Sequence, residues 1–154
     1  MNHEVHDGHE GVEERFSKGW ADRFRVVAAK AKADVVSHEV IGAAIEVHKQ
    51  LGPGLLESVY RICLAHELRS RGISSRTEVP FQMSYNGQQL DSCFRLDLLV
   101  ENLVIVEVKA VERLEQIHHM QLLTYLRLTE RWLGLLINFN VERIQQGLRR
   151  KLNG

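Results

Sequence analysis

Cysteine is scarce in this chain. Only Cys63 and Cys93 occur, and no CxxC spacing joins them. A disulfide framework or a thiolate metal cage is therefore not expected, and two reduced thiols in a cytosolic protein are. Long apolar runs are also missing. No stretch approaches the roughly 20 residues that a membrane helix requires, so no membrane association is expected. The start, MNHEVHDGHEGVEERF, lacks the charged-then-apolar order of an export signal. The expected location is cytoplasmic. No internal repeat is visible, and no appended DNA-reading motif.

Positive charge is absent from the first 14 residues, which carry Glu4, Asp7, Glu10, Glu13 and Glu14. The chain as a whole is neutral, with 20 basic and 20 acidic residues, so the remainder is modestly basic. Such a body is compatible with nucleic acid without demanding it. His3, His6 and His9 lie among the acids and hint at metal binding. A solvated, partly disordered tail is the stronger reading.

What is present is a 154-residue chain with 44% hydrophobic content, enough for one domain with a real core. Residues 1–35 read as an acidic tail or loose helix, and the organised body as 36–154. SHEVIGAAIEVHKQLG has helical spacing, with Ser37 as a fair cap and Gly52-Pro53 as the stop. GLLESVYRICLAHELRSRG is a second helix, ended by Gly72.

From Ser75 the period changes to two. Asn86-Gly87 is a type I′ hairpin signal and Glu101-Asn102 a second short turn. Three antiparallel strands follow, at about 76–85, 89–100 and 103–110, with Pro80 suited to an edge strand. LEQIHHMQLLTYLRLTE is helical, WLGLLINFN a short strand and VERIQQGLRRKL a closing helix. The expected class is α/β, a mixed sheet sandwiched by helices.

Within the β-branched run Val104–Val108 sits Glu107, and Lys109 follows one residue beyond it. Side chains alternate along a strand, so Glu107 and Lys109 share a face. The preceding hairpin brings Asp97 close to Glu107. Two adjacent carboxylates raise each other's pKa, and a hard divalent cation such as Mg²⁺ or Mn²⁺ removes the conflict. Lys109 would then hold a phosphate or orient a water. The alternative is a structural ion pair, Asp97–Lys109 or Glu107–Lys109, with Arg95 as a further partner. Glu57 adds a third acid one turn into a helix, or else pairs with Arg61 at i+4. Gln121 and Tyr125 form an i, i+4 pair on the helix after the third strand.

Glu57, Asp97, Glu107-Val108-Lys109 and Gln121-x-x-x-Tyr125, in that order, resemble the PD-(D/E)XK nuclease superfamily and its αβββαβ core. Gly54-x-x-Glu57-x-x-Tyr60, with IGAAIEVHKQLG, FRLDLLV, VIVEVKAVE, QLLTYL and GLLINFN, resembles the small GxxExxY protein family from about Val36 onward. The resemblance implies a Mg²⁺-dependent nuclease acting on DNA or RNA. It implies Asp97 and Glu107 as metal ligands, Glu57 as the helix acid and Lys109 as the catalytic lysine. It implies Gln121 and Tyr125 as supports near the substrate phosphate. The proline expected before the first acid is replaced by Leu96. His48 lies within reach of such a site but reads as a core or helix-face residue, and His118 and His119 as surface or packing residues. A non-catalytic nucleic-acid- or protein-binding module with the same fold is the competing expectation. A protein partner or homodimer is open.

Overall fold

The computed structural model describes residues 10–154, and His3, His6 and His9 lie outside them. α1 (Glu10–Leu51) runs unbroken for 42 residues, about 63 Å at 1.5 Å per residue. The helix therefore does not begin at Ser37, whose hydroxyl instead donates back to the Asp34 carbonyl at 2.7 Å. No proline interrupts residues 10–51, and the good helix formers Ala, Glu, Lys and Arg are frequent in them, so nothing stops the helix upstream. Packing starts later. Ala33, Val36, Val40, Ala43, Ala44 and Val47 are buried, whereas Trp20, Phe24 and Val27 are exposed. Gly52, at φ 65°, ends α1 in the left-handed conformation that glycine tolerates best.

α2 (Glu57–Ser70) follows and buries Tyr60, Leu64 and Leu68. β1 (Ser75–Tyr85) and β2 (Gln88–Val100) form the expected hairpin, with Asn86 and Gly87 both at positive φ. Glu101 and Asn102, also at positive φ, turn the chain into β3 (Val104–Lys109). Arg131 clasps this turn through the Asn102 carbonyl and Oδ1, at 3.0 and 2.8 Å. α3 (Gln116–Thr129) crosses over to β4 (Leu133–Asn138), which pairs parallel to β3.

The closing helix expected over VERIQQGLRRKL is not formed. A 3₁₀ turn (Ile144–Gly147) leads into β5 (Leu148–Leu152), antiparallel to β4. Two physical reasons favour the strand. β4 would otherwise leave an apolar edge unpaired. Gly147 also lies so close to β4 that a Cβ there would stand 2.0 Å from the Asn138 carbonyl oxygen.

The result is a mixed α/β sheet in the order β1-β2-β3-β4-β5, with helices on both faces. α1 and α2 cover Leu98, Val100, Val104, Val106, Val108, Leu133, Leu135 and Ile137. α3 covers Leu96, Leu99, Ile105 and Leu136 through Leu122 and Leu126. Each such leucine or isoleucine contributes about 1.5–3 kcal/mol on burial. Among the described residues no helix is long and apolar enough to cross a membrane.

Candidate active site

β2 changes face at Asp97. Leu98 and Val100 belong to the α1/α2 side, but Leu96 packs with Ile105 and Leu136 on the α3 side. Residues two apart on a regular strand would share a face. The break has two visible correlates. Glu78, between the β1 partners of Leu98 and Leu96, sits at φ 49°. The β2–β3 ladder also stops at Leu98↔Val106. Beyond that point side chains take over from the backbone. The Asp97 N–H donates to Glu107 Oε1 at 3.2 Å, and the Val108 N–H donates to Asp97 Oδ2 at 2.8 Å. Two carboxylates thus fill a seam where two strands part.

Glu107 is 4% exposed. Burial, and then the charge of Asp97, push its carboxyl up to about 8, against the partial counter-effects of the Asp97 N–H hydrogen bond and then of Lys109. In the cation-free protein the Asp97/Glu107 pair therefore favours holding a proton.

Lys109 points along the α3 side of β3. Its hydrogen bond goes to Gln121 Oε1 at 3.3 Å, and Gln121 Nε2 donates to the Tyr125 hydroxyl at 2.9 Å. Neither Asp97 nor Glu107 forms an ion pair with Lys109, and Arg95 joins neither. Tyr125 stacks on Phe94 of β2, with centroids 4.5 Å apart. Burial, then Glu107, raises the Tyr125 hydroxyl pKa, so it remains a neutral donor and acceptor. The i, i+4 spacing of Gln121 and Tyr125 thus becomes a relay from β2 through α3 to the lysine.

The cation facing Asp97 is Arg61 of α2. Its Nη1 lies 3.9 Å from Asp97 Oδ1, and its Nη2 lies 3.4 Å from Glu78 Oε1. The sequence offers Arg61 only as an i+4 partner of Glu57. No signal marks it for the seam, because its partner Glu78 is brought there by the β1 irregularity. Glu57 opens α2, half-buried and without an ion pair to Arg61. Its placement rests on its motif neighbours. Gly54 takes φ 98°. Tyr60, stacked on Phe139 at 4.6 Å, donates to the Gly52 carbonyl at 2.6 Å and accepts from the Leu55 N–H at 3.1 Å.

Asp97 and Glu107 offer hard oxygen donors side by side, and the raised Glu107 pKa marks a pair short of positive charge. This donor set fits a divalent cation such as Mg²⁺ or Mn²⁺. Glu57 does not close around it. Among the described residues no three His, Cys, Asp or Glu side chains converge into a metal-holding group.

The histidines stay out of the seam. His48 Nε2 donates to the Val141 carbonyl at 2.8 Å and lies near Phe139. His118 Nδ1 accepts from the Glu115 N–H at 3.0 Å and caps α3. His119 is half-buried on α3, and its Nδ1 has no partner among the described residues.

Residues 34–151 match the family model of the PD-(D/E)XK nuclease superfamily. No curated protein matches the chain, and neither does any solved structure. The match covers most of the chain, including α2, the three-strand meander, α3 and β4, and with them the acid seam. The chain belongs to the PD-(D/E)XK nuclease superfamily.

Proposed function

We propose that the protein is a Mg²⁺- or Mn²⁺-dependent nuclease that hydrolyses phosphodiester bonds in DNA or RNA. The single observation that carries this reading is the seam, in which Asp97 and Glu107 lie together beside a lysine held by Gln121. The motif Gly54-x-x-Glu57-x-x-Tyr60 supports a narrower placement in the GxxExxY family. We place the nuclease-like domain at 36–154 with 1–35 ahead of it, and the end of that leading segment, Ala33 and Asp34 of α1, already packs on the domain. The protein acts in the cytoplasm, alone, as a homodimer or with a protein partner.

In this mechanism Asp97 and Glu107 would hold the cation, and Glu57, outside that pair at the start of α2, would support it from a distance. When bound, the cation lowers the pKa of a water and stabilises charge on the scissile phosphate. With a cation held there Glu107 would be ionised, because the neighbouring positive charge would offset the effect of burial. Lys109 donates hydrogen bonds to the attacking water or to a phosphate oxygen. Gln121 fixes the lysine ammonium and Tyr125 fixes Gln121, so the lysine is preorganised. Water adds to phosphorus and gives up one proton to solvent, the P–O bond to the leaving oxygen breaks, and that oxygen takes up a proton from solvent.

One observation favours a second reading, a non-catalytic nucleic-acid- or protein-binding module. Arg61 already faces Asp97 and partly compensates it without a metal. A cleavage assay on single- and double-stranded DNA and RNA, with Mg²⁺ or Mn²⁺ and a Glu107→Ala control, separates the two. Cation-dependent cleavage that disappears in Glu107→Ala is expected. Equal traces from both proteins would overturn the nuclease reading.

A further inference from the structure

β5 gives the sheet a second polar feature, on the far side of α3 from the seam. Its alternation sends Arg150 to the α1 side, where it pairs with Asp34. Arg149 and Lys151 go to the α3 side, opposite Leu136 and Gly134. α3 answers with His119. At 100° per residue His119 lies on the opposite flank of α3 from Gln121. His119 lines two cavities. One, of about 250 Å³, is lined by Arg113, Asn138, Gln146 and Arg149. The other, of about 380 Å³, is lined by Gln116, Met120 and Lys151.

The polar groups here are under-used. His119 Nδ1 is buried and unpartnered, an arrangement that a ligand's acceptor atom would relieve. Arg149 spends Nη1 on the carbonyls of Gln146 and Leu148, at 3.1 and 2.9 Å. Those bonds aim the guanidinium and leave its other nitrogens without partners among the described residues. Among the same residues, Arg113 and Lys151 make no ion pair. The one acid lining either cavity is Glu112. Three cations and an imidazole against one carboxylate make a site for an anion.

We propose that the cleft between α3 and β5 binds a backbone phosphate of a nucleic-acid strand through Arg149, Lys151, Arg113 and His119. This rests on the nuclease reading for the identity of the strand. The substrate's scissile phosphate lies on the Lys109 flank of α3, and another of its phosphates occupies the β5 flank. A phosphate oxygen accepts from His119 Nδ1–H, and the planar guanidinium of Arg149 suits two oxygens at once. Burial, Lys151, Arg149 and His118 disfavour a charged His119 in the empty cleft. An anion reverses that balance and gives the orphaned nitrogen its partner.

The test is fluorescence anisotropy in EDTA, with a labelled single-stranded DNA of about a dozen nucleotides. The proteins compared are wild type, Arg149→Ala/Lys151→Ala, Arg113→Ala in the loop, and the α2 surface control Arg69→Ala. Circular dichroism checks folding, and Arg113→Ala stands in if the double variant fails to fold. The double variant should bind at least about tenfold more weakly. Its log K against log salt should flatten by about 0.7 for each phosphate that the protein no longer neutralises. The His119 ring resonances should move on titration with the oligonucleotide. Unchanged affinity in the folded double variant and in Arg113→Ala would overturn the subsite. So would saturation of the His119 shift by inorganic phosphate at concentrations where the oligonucleotide shows no binding, since the cleft would then hold a small anion. Cation-dependent cleavage is scored separately. Cleavage with unchanged binding removes the subsite and leaves the nuclease, whereas weakened binding without cleavage does the reverse.

Discussion

The two faces of the sheet differ in what they bury. Under α1 and α2 lies an almost entirely apolar layer, from Ala33 and Val40 through Tyr60, Leu64 and Leu68 to Leu135 and Phe139. Under α3 the apolar layer is a small patch around Ile105, Leu122 and Leu136, and polar groups border it on both flanks. Glu107, Lys109 and Gln121 lie on one flank, and His119, Arg149 and Lys151 on the other. The contrast teaches where each kind of free energy resides. Stability is concentrated on the helical-pair face, which can then carry strained, ionisable groups on the opposite one.

Leu64→Ala should have the largest effect, a loss of about 2–5 kcal/mol of stability in chemical denaturation. The fraction still folded should keep its cleavage rate. A matching loss of rate per folded molecule would break the comparison, because the apolar face would then be shaping the chemistry. Lys109→Met is the reciprocal experiment. It should slow cleavage by about 10²- to 10⁴-fold while shifting stability little, since Lys109 has no ion pair to lose. A loss of several kcal/mol, unrelieved by Mg²⁺, would instead make the lysine a structural counterion.

The acid seam gives a pH dependence that the apolar face does not. The Glu107 carboxyl titrates at about 8 when folded, against 4.5 in the unfolded chain. Between those values the folded state holds the extra proton, so stability falls as pH rises from about 4.5 to about 8. In the metal-free protein, denaturation across that window should show the decline, and Glu107→Gln should flatten it. Saturating Mg²⁺ should also flatten it, at the high-pH end. Tyr125→Phe should have the smallest effect, because the Phe94 stack survives and one neutral hydrogen bond of about 1 kcal/mol disappears. A change in kcat below about tenfold with unaltered KM is expected. A larger loss would make Tyr125 part of the chemistry rather than a support.

Much of this layout is legible in the sequence. Asn86-Gly87 sets the first hairpin because asparagine and glycine accept positive φ, and Asn102 does the same for the second turn, where Glu101 also takes φ 51°. The acids at 97 and 107 stand out because charge is costly inside an apolar strand, leucine-rich around Asp97 and β-branched around Glu107. The closing strand is not legible. LRRKL alternates, yet leucine, arginine and lysine are equally good helix formers, and the deciding facts are the open edge of β4 and the backbone approach at Gly147. The pairing of Arg61 is hidden for a similar reason. It depends on the irregular backbone at Glu78, which no local pattern announces. The early start of α1 is masked because its apolar stripe is irregular and looks like a loose helix, although nothing in the segment breaks one.

The parting of β2 from β3 at Asp97 has one more consequence. The amide protons of Asp97 and Val108 are held by carboxylate oxygens where a regular ladder would use carbonyls. Any event that reorients those oxygens alters how long the two amides resist exchange with deuterium. The backbone thus carries its own indicator of site occupancy. Two isotopic clocks inside the sheet can be read without a substrate, a dye or a single turnover.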